Sequence, residues 1–535
     1  MRDMNPANLH GAASARAWER RVRTAMLILA VLVIALGLPS HALAHGALRR
    51  SEPANGAHLA VAPRELRLTF NESVELAVAR LQLVGPDSAA VVLGPLTLAV
   101  DSSMVLVAPI QGRLKAGSYT VVWQIAGADG HPVRGRYSFV IAPGAQGLAA
   151  PQGPTAPGQA APPATHHNPV SLPTGPGFDA ESPLYVAVRW LTYLGLLGVI
   201  GSLAFRMAVL PLVARHDASV GAALLEPASA RAARIGLASA AVVALAAVLR
   251  LYAQSYALHG GSAALSPFLI GTMLSRTLWG WGWLLQAAGT VLALAGFAAA
   301  RRSTSTATSA AETGAVDTGV ADPPHAAEGG AIALARPVAV SPGRARAAEH
   351  MSAGWLLATL GGVALAFAPA LSGHAASVPR RAGLAILSDG VHVLGAGGWV
   401  GGLLLLVLAG VPAAMALPRE ERGSAVAALV NAFSVTALVF AGALTLTGVY
   451  AAWLHLGRIP ALWETGYGRT LLLKLGVLSV VFGTGAYNWL RLRPALGREA
   501  GATRLRRSAT VEIVAGVVVL LVTAVLVATA TPAGM

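Results

Sequence analysis

Eight apolar segments, each long enough to cross a bilayer as an α-helix, follow one another from residue 184 onward. Hydrophobic residues make up 55% of the chain and charged residues 12%, too few charges to cover the surface of a soluble protein of this length. This composition excludes a cytosolic enzyme and a disordered chain, and it predicts an α-helical polytopic membrane bundle. The predicted spans are roughly 184–213, 235–257, 278–299, 352–371, 383–413, 425–455, 467–490 and 509–530.

The distribution of arginine predicts how this bundle is oriented. The connections 214–234, 300–351, 414–424 and 491–508 contain sixteen arginines, whereas the three alternate connections contain five. Cationic loops stay on the cytoplasmic side, so we expect both ends of the bundle outside a bacterial cytoplasmic membrane. The net charge of +15 therefore reflects membrane topology, and we expect the lipid bilayer, not nucleic acid, as the partner. Segment 300–351, rich in Ala, Ser, Thr and Gly, is predicted to be a disordered cytoplasmic insert.

Residues 1–44 have the features of a secretory signal peptide. Four arginines between Arg16 and Arg23 precede a short apolar core, and Ala42-Leu43-Ala44 fits a cleavage site. Cleavage there would leave His45 as the first residue, on the extracytoplasmic or periplasmic side. The alternative is an uncleaved membrane anchor.

Residues 45–142 alternate apolar and polar side chains in short runs, as in Glu65–Phe70 and Tyr119–Ile125, with turn sequences between them. Period-two alternation predicts half-buried strands, and several such strands predict an all-β sandwich of Greek-key, cupredoxin-like or immunoglobulin-like type. Residues 143–183 are rich in Pro and Gly and are predicted to form a semi-extended linker.

A first candidate metal site lies in the predicted sandwich. The chain has no cysteine, so His, carboxylate, Met or backbone groups must hold any metal. His45 would offer an α-amino group and an imidazole, and an extended Asp129-Gly130-His131 segment would place a carboxylate and an imidazole on one face. Glu72 is a further oxygen ligand. Such nitrogen and oxygen ligands favour Cu(II). The alternative is that His131 caps a loop and His45 has no role.

A second set of ionisable residues falls in the outer halves of the predicted spans. Asp389 and His392 are three residues apart on one helical face, and His374 and His455 lie at outer helix ends. Ionisable groups at membrane depth are costly and usually face a bundle interior or an aqueous path. Histidines gathered toward the outer side suit transient metal coordination, so these residues are a candidate path for a metal ion. The alternative is a structural pair, Asp389 with His392 or with Lys474.

Two further features are predicted to have structural roles. Arg189 lies near the outer end of the first span and is expected to extend its guanidinium to the membrane surface. The run Trp279-Gly-Trp281-Gly-Trp283 is interpreted as an interfacial aromatic belt.

The motifs of residues 45–142 resemble those of the CopC copper-binding domain over its full length. The resemblance implies that Cu(II) is bound by His45, His131 and Asp129, with Glu72 matching a carboxylate found in some members. Met104 is the one methionine of this segment, so no methionine-rich Cu(I) site is expected. The motifs, in order, are His45-Gly-Ala-Leu48, Ser51-Glu-Pro-Ala-Asn-Gly56, Leu68-Thr-Phe-Asn-Glu72, Val122-Trp123 and Ala128-Asp-Gly-His-Pro-Val-Arg-Gly135.

Residues 352–535, with five predicted spans, resemble the CopD copper-resistance membrane domain, and residues 184–299, with three, resemble its less patterned N-terminal half. The resemblance implies a fused CopC–CopD protein that acts in copper uptake or resistance. We expect it to capture Cu(II) outside and to pass it to the bundle for import, homeostasis and resistance. A copper sensor or buffer is the alternative, and a copper redox enzyme a remote one; no catalysis is expected. An extracytoplasmic copper chaperone is a candidate partner. The motifs include Ser372-Gly-His-Ala375, Asp389-Gly-Val-His392, Trp399-Val-Gly-Gly402 and Thr447-Gly448.

Overall fold

The computed structural model describes most of the sandwich and of the bundle. The predicted signal peptide and His45 lie outside the described residues, as do most of the predicted linker and much of the 300–351 insert. The described ranges are 48–127, 129–146, 182–261, 263–316, 352–377, 381–487, 499–529 and 531–532.

The N-terminal domain is a sandwich of two sheets, as predicted. The alternating pattern places Leu66, Leu68 and Phe70 in the interior, and from the facing sheet Trp123 packs edge-on against Phe70 with ring centroids 5.1 Å apart. Burial of one face of each strand stabilises the two sheets against each other. The strands are β1 (Leu48–Glu52), β2 (His58–Val61), β3 (Glu65–Phe70), β4 (Arg80–Val84), β5 (Ala90–Val91), β6 (Thr97–Ala99), β7 (Ser102–Pro109), β8 (Gly117–Ala126) and β9 (Pro132–Gln146).

The strand order separates neighbours in sequence, as expected for a Greek-key arrangement. One sheet has the order β1-β3-β7-β6 and the other the order β2-β9-β8-β4-β5. The β8–β9 pair is antiparallel with Gly117 opposite Ile141 and Ala126 opposite Pro132. The loop between these two long strands carries Asp129 and His131 and lies at one end of the sandwich.

Eight helices in the described part of the chain are long and apolar enough to span a membrane, in agreement with the eight predicted segments. Two short helices, α3 and α8, connect longer ones. The helices are α1 (Pro183–His216), α2 (Ala218–His259), α3 (Pro267–Arg276), α4 (Leu278–Val316), α5 (Ala353–Leu371), α6 (Ala382–Ala414), α7 (Arg419–Leu456), α8 (Ala461–Glu464), α9 (Gly466–Tyr487) and α10 (Glu499–Leu526).

Two element boundaries differ from those expected. Helix α4 continues beyond residue 299 to Val316, into the segment predicted to be disordered, and β9 continues to Gln146, into the predicted linker. Ala, Ser and Thr can extend a helix that is already nucleated, since propagation costs far less than nucleation.

Glycine residues let the membrane helices approach closely. A Cβ atom added to Gly201 of α1 would lie 2.6 Å from the carbonyl oxygen of Gly401 in α6. Backbones in contact gain packing energy in a bilayer, where no hydrophobic effect drives helices together. The contact holds α1 against α6, and α1 carries part of the site described below.

We therefore expect Gly201→Val to destabilise the bundle by about 1–3 kcal/mol, because the added side chain would clash with the backbone of Gly401. Gly442→Val in α7 is the matched control, since no atom lies within 4 Å of the position its Cβ would take. Thermal unfolding in detergent measures the difference. Equal midpoints for the two variants would show that the α1–α6 contact does not limit stability.

The sandwich docks on the outer end of α2 through two polar side chains. Gln124 Nε2 donates to the carbonyl oxygen of Leu258 at 2.9 Å, and Arg134 Nη2 donates to that of Ala257 at 2.8 Å. Arg134 Nε also donates to Gln124 Oε1 at 2.7 Å. The last carbonyl groups of a helix have no intrahelical partner and carry partial negative charge. The sandwich therefore supplies donors that the end of α2 requires.

A carboxylate and an apolar cluster extend this interface to α3 and α4. The Leu278 amide, at the start of α4, donates to Glu75 Oε1 at 3.0 Å. Burial raises the pKa of the Glu75 carboxyl, and this hydrogen bond partly opposes the effect. Around it, side chains of both domains form one buried cluster. Its members are Val78, Ala126, Leu258, Met273 and Trp279.

Candidate metal centre between the two domains

The β8–β9 loop folds into a tight turn around Asp129. Asp129 Oδ1 accepts a hydrogen bond from the His131 amide at 3.0 Å, and Gly130 has a φ of +80°. The prediction that this segment is extended is therefore wrong. An aspartate side chain readily closes such a turn. The two side chains are nevertheless adjacent, with His131 Nδ1 2.8 Å from Asp129 Oδ2.

His374 of the bundle shares the same carboxylate oxygen. Helix α5 ends at Leu371, and the chain turns into a short 3-10 helix, His374–Ser377. This turn places His374 Nδ1 3.2 Å from Asp129 Oδ2. The rings of His131 and His374 are stacked, with centroids 5.9 Å apart and an interplanar angle of 21°. One carboxylate thus joins a predicted sandwich ligand to a predicted membrane ligand.

Arg189 of α1 contacts the same loop from the bundle side. Its Nη2 lies 2.9 Å from His131 Nε2, and its guanidinium carbon lies 4.5 Å from the ring centroid of Tyr185. The predicted surface position of Arg189 was wrong. The sandwich covers the outer end of α1, so the side chain is buried at 8% exposure and meets protein where a bare helix would meet water.

Neighbouring polar side chains hold the loop and the His374 turn in place. Gln254 Nε2 donates to the Gly130 carbonyl oxygen, and Tyr185 donates to Gln254 Oε1 at 2.9 Å. Arg250 donates to Gln286 Oε1 at 2.9 Å and to Ser372 Oγ at 2.7 Å. Ser372 lies two residues before His374, so Arg250 fixes the backbone from which that histidine projects.

Trp279 packs directly beneath the loop. A Cβ atom on Gly130 would lie 2.6 Å from Trp279 Cδ1, and the Arg250 guanidinium carbon lies 5.1 Å from the Trp279 ring centroid. Trp279 is 2% exposed whereas Trp281 is 57% exposed. The interpretation of the tryptophan run as a membrane-interface belt is therefore wrong for Trp279, because the docked sandwich covers that side of α4.

A cavity of about 40 Å³ lies between the domains at this point. Its lining includes Asp129, His131, Arg189, Arg250 and Ser372. This volume accommodates a small ion or a few water molecules. Polar groups of both domains therefore meet around one small space.

Burial lowers the pKa of His131 below its ordinary value, although Asp129 opposes the shift and favours the protonated ring. Arg189 and His374 add to the lowering. His131 is consequently neutral near pH 7 in the docked arrangement, which is the form in which an imidazole can ligate a metal.

The two remaining predicted sandwich ligands are Glu72 and His45. Glu72 is half-buried, and its carboxylate lies close to Gly127, where an added Cβ atom would be 2.5 Å from Glu72 Oε2. Gly127 precedes the Asp129 turn and accepts a hydrogen bond from the Gly130 amide at 2.9 Å. Glu72 is thus at the base of the same loop. His45 lies outside the described residues.

Two of the predicted membrane residues follow His374 inward. The ring centroid of His455 is 6.2 Å from that of His374, and Asp389 interacts electrostatically with His374 and with Lys474. Asp389 and His455 line one narrow cleft together with Ser388 and Tyr450. The fold therefore brings His374, His455 and Asp389 into one region.

His392 points toward α7 instead. Its Nδ1 lies 3.0 Å from Thr447 Oγ1, and its ring contacts the position that a Cβ of Gly448 would occupy. It interacts electrostatically with Lys474, as Asp389 does. Lys474 thus interacts electrostatically with both members of the predicted Asp389–His392 pair. Its interaction with Asp389 is the one that the alternative, a structural Asp389–Lys474 pair, requires.

Among the described residues, no three His, Asp or Glu side chains are arranged to hold a metal ion together. The imidazoles of His131 and His374 instead contact one carboxylate oxygen. The donor types fit Cu(II), but in the docked arrangement the two imidazoles and the carboxylate contact one another at ion-pair distance.

Comparison with known families follows the same division of the chain. The family model for the CopC domain matches residues 48–142. The model described as copper resistance protein D-like, N-terminal domain, matches 179–333, and the one for copper resistance protein D matches 427–526. This chain is a fused CopC–CopD protein. It therefore belongs with the copper transport and resistance proteins.

Individual relatives cover different parts of this CopC–CopD chain. Copper transport protein CutJ of Bacillus subtilis (strain 168) is 25% identical over 518 residues, 96% of this chain and 79% of that protein. Protein YobA of Escherichia coli (strain K12) is 32% identical over 119 residues, 22% of this chain and 95% of that protein. The crystal structure of CopC from Methylosinus trichosporium OB3b is 29% identical and covers 18% of this chain and 95% of that one, with a TM-score of 0.18.

Three residues of the bundle contact the β8–β9 loop in a way that was not predicted from the sequence: Arg189, Gln254 and Trp279. An arginine and a glutamine inside apolar helices were the available signals, because buried polar groups at membrane depth require a partner. Their partner is another domain, and no local pattern encodes where a second domain docks.

Proposed function

We propose that this CopC–CopD protein captures Cu(II) on the outer side of the cytoplasmic membrane and passes it into the bundle for import. One observation carries the proposal. Asp129 Oδ2 lies 2.8 Å from His131 Nδ1 and 3.2 Å from His374 Nδ1, so a sandwich ligand and a membrane histidine meet at a single carboxylate.

Capture takes place at the β8–β9 loop. His131 and Asp129 supply an imidazole and a carboxylate, and His45 adds its imidazole and amino terminus once the leader is removed. Glu72 is the additional oxygen ligand at the base of the loop. A mixed set of nitrogen and oxygen donors favours Cu(II) over harder divalent ions.

Transfer proceeds by exchange of ligands between neighbouring side chains. The short separation between His131 and His374 lets an incoming imidazole replace an outgoing one without the ion becoming fully hydrated. His455, 6.2 Å further on between ring centroids, and Asp389 continue the path. The carboxylate of Asp389 offsets the charge of a cation in a region of low dielectric constant.

The capture site is tested by His131→Ala in the full chain. We expect the affinity for Cu(II) to fall by at least about tenfold, since changes to groups that merely support a metal ligand already cost 10–100-fold. Competition with a chromophoric Cu(II) chelator measures the affinity, and mass spectrometry of the same sample establishes whether the chain begins at His45.

His58→Ala is the matched control, because His58 is an exposed histidine on β2 of the same sandwich. Unchanged affinity in both variants would overturn the capture site. Copper binding without any uptake into proteoliposomes would overturn transport and favour the alternative of a sensor or buffer.

A further inference from the structure

The side chain of Arg189 occupies a position that a bound copper ion would compete for. Arg189 projects from the outer end of α1, is buried, and is held over the ring of Tyr185. Its Nη2 lies 2.9 Å from His131 Nε2. A group of the bundle thus contacts a nitrogen of a proposed copper ligand in the sandwich.

The chemistry of this contact assigns the proton on His131. A guanidinium has N–H donors and no acceptor and stays charged at all ordinary pH values. His131 Nε2 must therefore accept, which places the ring proton on Nδ1, 2.8 Å from Asp129 Oδ2. The lone pair of Nε2 is then taken by Arg189, and the protonated Nδ1 faces the Asp129 carboxylate.

An imidazole whose Nε2 accepts a hydrogen bond and whose Nδ1 carries the proton has no lone pair left for a metal. Ligation through Nε2 requires Arg189 to leave. Ligation through Nδ1 requires the loss of its proton and of its contact with Asp129. Asp129 is also engaged, since Oδ1 accepts from the His131 amide at 3.0 Å and Oδ2 lies 3.2 Å from His374 Nδ1. The fixed positive charge of Arg189 further repels a divalent cation.

We infer that Arg189 is a release residue: docking of the sandwich exchanges copper for Arg189 at His131 and frees the ion beside His374. The undocked sandwich binds Cu(II) tightly and the docked one weakly, so one conformational change both delivers and discharges the cargo. This inference rests on the proposed capture at His131. By linkage, copper opposes docking by the same factor by which docking weakens copper binding.

The docked state can be held covalently because the native chain has no cysteine. Val78 of the sandwich and Met273 of α3 belong to the same buried interface cluster. The double variant Val78→Cys, Met273→Cys is joined by a short bis-maleimide, which also removes the thiols as copper ligands. The reference sample is the same double variant with both thiols capped by N-ethylmaleimide, so that neither sample offers a free thiol to copper. Both full-length samples in lipid nanodiscs are then titrated with Cu(II) alone, against a chelator.

We expect crosslinking to weaken Cu(II) binding by about tenfold or more in the chain with Arg189, a typical coupling. Arg189→Met, which removes the charge and donors at similar volume, should abolish most of that difference, and Arg189→Lys should restore part of it. Arg206→Met is the control, since Arg206 lies in the same helix over Trp355, away from the sandwich.

Each outcome separates the two proposals. If His131→Ala has no effect on affinity in the uncrosslinked chain, the capture site itself fails. If His131→Ala weakens binding but crosslinked and free chains bind Cu(II) equally, or Arg189→Met behaves like Arg189, the release role is overturned while capture stands. The crosslinking yield of each variant without copper verifies that it folds and docks.

Discussion

Replacement of His374 by alanine should nearly abolish copper flux while leaving capture intact. His374 is the group of the bundle that reaches Asp129, at 3.2 Å, and its turn is held by the Arg250–Ser372 hydrogen bond of 2.7 Å. Without it, copper released from the sandwich meets no imidazole on the bundle side. We expect uptake into proteoliposomes containing an internal copper chelator to fall by about 100-fold, the upper range for loss of a metal-site group.

His259→Ala is the appropriate comparison, because His259 also lies at the outer end of a membrane helix beside the docked sandwich, and it interacts electrostatically with Arg80 of the sandwich instead of with Asp129. It should change flux by less than about twofold, as expected of a residue outside the path. Cu(II) affinity measured on the same preparations should match the unsubstituted chain in both variants. Normal flux in His374→Ala would exclude the transfer step.

Substitution of Gly130 by alanine should separate the two domains without removing any proposed ligand. A Cβ atom there would lie 2.6 Å from Trp279 Cδ1 and 2.7 Å from its Cγ. Such overpacking costs about 1–3 kcal/mol, which lowers the equilibrium ratio of docked to undocked protein by about five- to 150-fold. We expect copper flux to fall correspondingly and Cu(II) affinity to be retained or increased. The yield of the interdomain bis-maleimide crosslink reports docking directly.

The backbone of Gly130 requires its own control. Its φ of +80° is unfavourable for alanine, so part of any effect could arise within the sandwich itself. Gly112→Ala reproduces that strain alone, because Gly112 has a φ of +89° and no atom lies within 4 Å of its missing Cβ. A crosslinking yield for Gly130→Ala equal to that of Gly112→Ala would contradict the importance of the Trp279 contact.

The contacts between the domains define what such variants perturb. Gln124 and Arg134 satisfy carbonyl groups at the end of α2, and Glu75 accepts from the first amide of α4. Helix ends are places where a second domain can add hydrogen bonds without breaking any. These polar contacts are individually weak, which suits the opening and closing of the interface that the proposed release of copper requires.

The sandwich, the eight membrane helices and the family of the chain were all predictable from local sequence patterns and motifs. Period-two alternation in segments such as Glu65–Phe70 and unbroken apolar runs are local patterns, and they dictate which face or segment leaves water. The sequence also identified Asp129, His131 and His374 as separate candidates, because polar groups of these types carry metal chemistry wherever the fold places them.

The meeting of these candidates at one site could not be predicted from the sequence, because it depends on how the two domains pack. Residues 129 and 374 are far apart in the chain, and a single carboxylate oxygen joins them because the β8–β9 loop docks over the end of α5. The same docking buries Arg189 and Trp279, which were predicted from the sequence to lie at the membrane surface. Local patterns encode burial within one element, whereas contact between two domains depends on complementary surfaces that no single segment contains.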